Sequence, residues 1–378
     1  MAEPLKNHFG PDVPRLISRS IAGVWPAFPC KEFIKDSLQG YEALELVPRS
    51  RQIAATLQTY LPQDYEEAID ILRQSLQVLE AERNDDHPMS GFVYMPHCVF
   101  VAEYGVDHFE LSMEANYELT QLFTAEFSIR PYLSRYPDKC LALLKKWCTD
   151  PSVDVRRLVS EGTRPRLPWA ARLPEFQRDP TPVLALLERL KDDPELYVRR
   201  SVANNLNDIG KDHPDRLVAT ARAWMKGASE DRKWLIRHAL RSAVKRGDAG
   251  ALRILGFGDA KGPAVQGKRI APKRVHIGDS ITVAFEVANT GTKPSRVMVD
   301  FRIHYVKANG TSSAKVFKLK ALELAPGESL SVHKKISVND MSTRKHYAGR
   351  PAVDAILNGE IMPLGFFSLL DRQEEPED

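Results

Sequence analysis

Over the first two-thirds of the chain, apolar residues recur every three or four positions, the spacing of amphipathic helices. The pattern predicts helices over Val13–Phe28, Lys31–Leu38, Tyr41–Val47, Ser50–Tyr60 and Tyr65–Leu79, a loop at Asp85–Ser90, then helices over Met95–Glu103 and Phe109–Phe127. The last of these is expected to end before Pro131, because the residue ahead of a proline disfavours the helical region. At Gly256 the period changes. A Gly-rich stretch gives way to alternating segments near Arg269–Val275 and over Ser280–Asn289, Ser295–Tyr305, Ala314–Leu322, Ser329–Ile336, Ala352–Asn358 and Met362–Leu369. Turn-forming connectors separate them (NTGTKP, ANGTSS, APGES, NGE), which is the signature of short antiparallel strands. Seven such strands predict an immunoglobulin-like β-sandwich that lacks a cysteine pair across its core.

The helical part repeats itself. DPSVDVRRLV begins at Asp150 and DPELYVRRSV at Asp193, each preceded by LALL, at Leu141 and Leu184. A looser copy, WLIRHAL, begins at Trp234. The first two copies are 43 residues apart, and periods of this size mark HEAT-type helix pairs, which stack and present an extended concave surface. The expected fold is therefore mainly α: a HEAT-like helical repeat solenoid over 1–255, a linker at 256–266, a small antiparallel sandwich over 267–370 and an acidic tail at 371–378.

In the second copy Val198, Val202, Leu206 and Ile209 make the buried stripe, while Arg200, Asn204 and Asp208 lie four apart on a polar line. The first copy contributes Arg157 and Glu161 to the matching line, and the third contributes Arg237, Arg241 and Lys245. Stacking sets these lines side by side as a cationic face studded with carboxylates. Gly162 and Gly210 read as C-terminal stops, which puts Glu161 and Asp208 in last turns, where the helix dipole disfavours an acid by about 0.3–1 kcal/mol. Simple surface pairs, Glu161 with Arg157 and Asp208 with Lys211, also fit the spacing. Glu126 precedes Arg130 by four residues, the order of a helical ion pair. The loop 162–169 is basic, proline-rich and aromatic; its Trp169 suits either a sugar-phosphate backbone or a plug between two repeats.

Charge sharpens this picture. Residues 152–246 hold twenty Lys/Arg against thirteen Asp/Glu, and residues 261–370 hold seventeen against eight. Segregated positive charge favours a polyanionic partner, most simply duplex DNA. No apolar run is long enough for a membrane span, the N-terminus lacks a signal-peptide core, and Cys30, Cys98, Cys140 and Cys148 lack metal-ligand spacing. These features lead us to expect a cytoplasmic protein without metal or cofactor.

FTAEFSIRP, VRRLVSEGTRPRLPW, YVRRSVANNLNDI and KWLIRHALR, in that order, resemble the AlkC branch of the HEAT-like DNA alkylation-repair glycosylases, which are related to AlkD. The resemblance spans roughly residues 10–255, and the sandwich matches members that carry an immunoglobulin-like domain. It implies a monofunctional DNA glycosylase that removes cationic bases such as 3-methyladenine and 3-methylcytosine without drawing the base into a pocket. By motif position it implies that Glu126, Glu161 and Asp208 are the active-site carboxylates and that Trp169 lies near the lesion sugar. Arg157, Arg164, Arg200, Arg237 and Arg241 are the candidate phosphate contacts on double-stranded DNA, with the protein acting as a monomer. The competing expectations are a non-catalytic HEAT scaffold for an acidic protein and a DNA-binding protein dominated by its sandwich.

Overall fold

The structure is a computed structural model and describes residues 5–82, 90–258, 262–340 and 345–372. Among these, the helices are α1 (Asp12–Val24), α2 (Cys30–Ser37), α3 (Leu46–Tyr60), α4 (Tyr65–Glu82), α5 (Met95–Tyr104), α6 (Phe109–Leu122), α7 (Arg130–Arg135), α8 (Pro137–Trp147), α9 (Val153–Gly162), α10 (Pro174–Arg178), α11 (Thr181–Leu190), α12 (Leu196–Asp212), α13 (Pro214–Met225), α14 (Glu230–Arg246) and α15 (Ala249–Ile254). No helix among the described residues is long and apolar enough to cross a membrane. The expected loop at Asp85–Ser90 falls almost wholly outside them, as does most of the acidic tail. Packing divides the chain into two compact units, 1–217 with 228–239, and 218–227 with 240–378.

In the first unit the repeated sequence forms repeated structure. LALL lies in α8 and again in α11, and the VRR motif lies in α9 and again in α12. Val198, Val202, Leu206 and Ile209 are buried, as their spacing predicts. The first arginine of each VRR folds back on the Asp-Pro turn before its helix. Arg156 Nη1 donates to the carbonyls of Asp150 and Pro151 at 2.9 and 3.0 Å, and Arg199 Nη1 donates to those of Asp193 and Pro194 at 2.6 and 2.7 Å. Both turns also carry an aspartate side chain that accepts from the backbone N–H two residues on. Arg156 reaches into the next repeat as well, donating to the Asp193 carboxylate at 2.6 and 3.2 Å. Charge-assisted bonds of this kind pin the start of each inner helix and the register between neighbours.

Several expectations change. The helix expected over Tyr41–Val47 is a short 3-10 turn at Tyr41–Ala43, and Val47 falls in α3. The helix expected to run to Phe127 stops at Leu122, where Phe123 takes φ −145° and ψ −111°. Pro131 does not end that helix but opens α7, because proline is tolerated in a first turn, where its missing N–H has no partner to lose. Gly210 is likewise no stop, since α12 continues to Asp212. It is a packing glycine: a Cβ there would lie 2.3 Å from Leu217 Cδ2 and 3.0 Å from Leu217 Cβ.

In the second unit the strands are β1 (Pro263–Ala271), β2 (Arg274–His276), β3 (Ser280–Asn289), β4 (Ser295–Val306), β5 (Ser312–Leu324), β6 (Ser329–Ser337), β7 (Ala352–Leu357), β8 (Glu360–Phe366) and β9 (Ser368–Leu370). One sheet runs β1-β3-β6 and a second β5-β4-β7-β8, all antiparallel, while β2 and β9 form a parallel pair. The alternation seen in the sequence is the core: Ile281, Val283, Phe285 and Val287 of β3 share one buried cluster with Val297, Val299, Phe301 and Ile303 of β4. The last expected strand is two, β8 and β9, and β1 begins within the stretch expected to be linker.

Gly210 supplies a direct test of the α12 packing. Alanine gains about 1 kcal/mol of helix propensity, but forcing a methyl into a filled site costs about 1–3 kcal/mol. Gly210→Ala should therefore lower the urea unfolding free energy, and adding Leu217→Ala should reduce the penalty of the glycine replacement. A single variant more stable than wild type would contradict this packing.

Candidate functional site

Glu161 is the last residue but one of α9, Asp208 lies in the penultimate turn of α12, and Glu126 sits in the irregular turn between α6 and α7. The sequence places Glu161 and Asp208 on a solvent-facing polar line; the structure buries both, at 5% and 1% exposure. Buried carboxylates that lack partners cost several kcal/mol each, so their partners are the informative part of the site.

Arg164 is the principal partner. It lies just past α9, 8% exposed, and one guanidinium donates from Nη1 to Glu161 Oε1 at 2.5 Å and from Nε to Asp208 Oδ2 at 2.8 Å. Burial works against its charge, but Glu161 and Asp208 more than offset this and raise its pKa further. Lys211 donates to the other Asp208 oxygen at 2.7 Å, and Ser201 Oγ donates to Glu161 Oε2 at 2.6 Å. Ser201 in turn accepts from Ser160 at 2.6 Å.

The third acid joins through Arg157. Its Nη1 pairs with Glu126 Oε2, and Nη2 lies 3.7 Å from Glu161 Oε1. Thr124 braces this end, donating to Glu126 at 2.8 Å and accepting from Arg157 at 2.8 Å. The Arg157 guanidinium sits over the Tyr197 ring, 5.2 Å from its centroid. Burial raises the Tyr197 phenol, and the nearby Arg157 charge moderates the rise. Glu126, Arg157, Glu161, Arg164, Asp208 and Lys211 thus form an alternating ladder of three acids and three bases. The pairs suggested by helical spacing, Arg157 with Glu161 and Lys211 with Asp208, belong to it; the Glu126–Arg130 pair does not. With α6 ended at Leu122, the two residues no longer share a helix.

Arg130 instead clamps the loop that follows α9. Its Nη1 donates to the carbonyls of Gly162 and Arg164, both at 2.9 Å, and Nη2 donates to that of Ala171 at 2.5 Å. Burial, reinforced by the neighbouring Arg164 charge, lowers its pKa to about 10, so it stays protonated at neutral pH. Arg166 pins the same loop to Asp212 at the end of α12 through two parallel bonds, one of them 2.8 Å. Trp169 at the tip of this loop is 77% exposed, with φ +63°, so it plugs no seam between repeats. A left-handed aromatic residue stores about 1–3 kcal/mol of strain and persists only where its surroundings hold it. It borders a cavity of about 350 Å³ walled by Met95, Phe123, Thr124, Phe127 and Arg130.

Of the expected phosphate contacts, Arg157 and Arg164 are turned into the carboxylates. Arg200 on α12 and Arg237 on α14 are exposed in the first unit, and Arg241 is exposed in the second. Sequence reasoning passed over Thr124, Arg130, Ser160, Tyr197, Ser201 and Lys211 as parts of the site. The 43-residue offset aligns Ser201 with Leu158, so it carried no signal of the bond that Ser201 makes to Glu161.

Repeated helix pairs holding a buried ladder of acids and bases, followed by an antiparallel sandwich, define a HEAT-like repeat protein with an immunoglobulin-like module. The family model described as the C-terminal Ig-like domain of the uncharacterised protein YhaZ matches residues 264–371. The chain is 35% identical to YhaZ of Bacillus subtilis strain 168 over 358 residues, 94% of this chain and 97% of that protein. It is 36% identical to the Pseudomonas fluorescens alkylpurine DNA glycosylase AlkC, solved bound to DNA containing an abasic site analogue. That match has a TM-score of 0.83 and covers 97% of this chain and all of that one. The chain belongs to this YhaZ and AlkC family.

The loop clamp yields a pH prediction. Hydrogen bonding from Arg166 holds the Asp212 carboxyl below its usual range. A depressed folded-state value contributes stability that is complete above the unfolded value of about 3.9 and disappears as pH falls through the folded one. Arg166→Ala should cost about 1 kcal/mol at pH 7, and the gap to wild type should narrow below about pH 4. A gap that is constant from pH 7 to pH 3 would remove Asp212 ionisation from the account.

Proposed function

We propose that the protein is a monofunctional DNA glycosylase of base excision repair, acting as a cytoplasmic monomer without metal or other cofactor. Its substrates are cationic alkylated bases such as 3-methyladenine and 3-methylcytosine in double-stranded DNA. The observation that carries this reading is the gathering of Glu126 with the buried Glu161 and Asp208 into one ladder, in a chain that is similar over nearly its whole length to AlkC.

The chemistry asks little of an acid or a nucleophile. A base alkylated on its ring nitrogen carries positive charge and departs neutral with the electrons of the N-glycosidic bond. Positive charge then grows on the sugar as an oxocarbenium ion. Fixed negative charge beside C1′ lowers that barrier, and a dry, preorganised site makes it count for more than it would in water. Water adds to C1′ and loses its proton, leaving an intact abasic site. In this reading Asp208 and Glu161 face the sugar and position the water, and Glu126 orients that water or the base. Because the lesion brings its own charge, no deep pocket is needed to activate it, so the base stays out of one. Trp169 packs against the deoxyribose, and Arg200, Arg237 and Arg241 meet phosphates.

Asp208→Asn tests the charge directly while keeping the shape. On DNA treated with a methylating agent, wild type is expected to release free 3-methyladenine. Asp208→Asn should bind the duplex but release it about 100–1,000-fold more slowly. Equal rates would move the charge centre away from Asp208, and duplex binding with no base release by wild type would leave a scaffold. Arg200→Ala and Arg237→Ala should each reduce the salt dependence of binding by about one unit; an unchanged slope would remove them from the phosphate contacts.

A further inference from the structure

Arg164 is poorly placed for the phosphate contact its sequence context suggests. Its side chain is 10% exposed, and its guanidinium is committed to two carboxylates on different helices. Its backbone is fixed as well: the N–H donates to the Glu161 carbonyl at 3.2 Å, and its own carbonyl accepts from Arg130. Few arginines are held so completely from both ends. Bridging suits the planar guanidinium, which offers donors in a rigid fork, whereas a lysine ammonium is a single point charge. Arg157, Glu126 and the Tyr197 phenol also face the pair on the Glu161 side, and Lys211, Arg130 and Arg166 on the Asp208 side.

We propose that Arg164 is a positioning residue that holds Glu161 and Asp208 side by side, so that α9 and α12 present their carboxylates as one unit. This rests on the glycosylase reading for its purpose but not for its geometry. Two carboxylates brought together in a buried site repel one another, and Arg157 and Lys211 each reach only one of them. Arg164 supplies a cation shared by both, without entering the reaction. It also explains how acids unfavourably placed near helix C-termini are tolerated: the compensating charge comes from the loop that leaves α9.

The test uses Arg164→Gln and Arg164→Lys in the full chain, with near-UV circular dichroism to confirm packing. At saturating methylated duplex, single-turnover base release should fall about 100-fold in Arg164→Gln, with the salt slope of binding unchanged. Arg164→Lys should recover only part of the rate, since an ammonium reaches one acid and not both. A normal rate at saturation, with weaker binding and a salt slope lower by about one, would make Arg164 a phosphate contact and overturn the proposal. Carboxyl ¹³C resonances of the DNA-free protein at neutral pH separate this proposal from the glycosylase reading. If wild type releases no base but the Glu161 and Asp208 resonances both shift and broaden in Arg164→Gln, the glycosylase reading fails and the positioning role stands. Resonances unchanged from wild type overturn the positioning role.

Discussion

Three ionised carboxylates can share a buried site only if each has a counter-charge, and most of the local architecture follows from that constraint. Arg164 stands between Glu161 and Asp208, Arg157 links Glu161 to Glu126, and Lys211 closes the far end. The guanidiniums must themselves be held, and the segment after α9 does this. Arg130 grips its carbonyls and Arg166 ties it to α12, which fixes Arg164 and leaves Trp169 projecting at a left-handed turn. Removing Arg164 would leave Glu161 and Asp208 short of a counter-charge, typically a loss of about 3–5 kcal/mol, whereas Asp208 would keep Arg164 if Lys211 were removed. The site is therefore a single electrostatic object. It is rigid because its charges are mutually dependent.

The solenoid gives that object a fixed frame. The Arg156 and Arg199 clamps repeat the same contact 43 residues apart, so α9 and α12 start from equivalent positions and Glu161 meets Ser201 and Arg164 in register. Each VRR pair divides its labour. The first arginine is spent on the turn; the second faces outward or into the acids, as Arg157 does. Identical neighbours in sequence thus have unrelated duties, set by a rotation of about 100° along the helix.

This division marks the limit of what the chain discloses when read as a sequence. Val198, Val202, Leu206 and Ile209 announce a buried stripe because side-chain burial obeys helical period, and Ser280–Asn289 announces a strand because alternation does the same for a sheet. That Glu161 and Asp208 share one face was legible from the matching polar lines of the repeats, and the addition of Glu126 only from motif resemblance. The partner of each acid was not. Glu126 and Arg130 have the spacing of a helical pair, but the backbone turns at Phe123 and sends them to different tasks. Gly210 looks like a stop and is instead the space occupied by Leu217. Arg164 looks like a surface arginine, and only the fold of its loop reveals it between two acids. The Arg130 and Arg164 contacts join residues 32 to 44 positions apart, and the Gly210 packing depends on how α13 turns back, neither of which local pattern encodes.

The central claim, that this ladder serves hydrolysis of an N-glycosidic bond, is tested most directly by following one labelled lesion. A duplex carrying a single 3-methylcytosine would be incubated with the protein and analysed by mass spectrometry for free base and for the strand. The account predicts free 3-methylcytosine together with an unbroken strand bearing an abasic site, and one atom of ¹⁸O at C1′ when the reaction is run in labelled water. An intact lesion strand after prolonged incubation, under conditions where the duplex is fully bound, would contradict it.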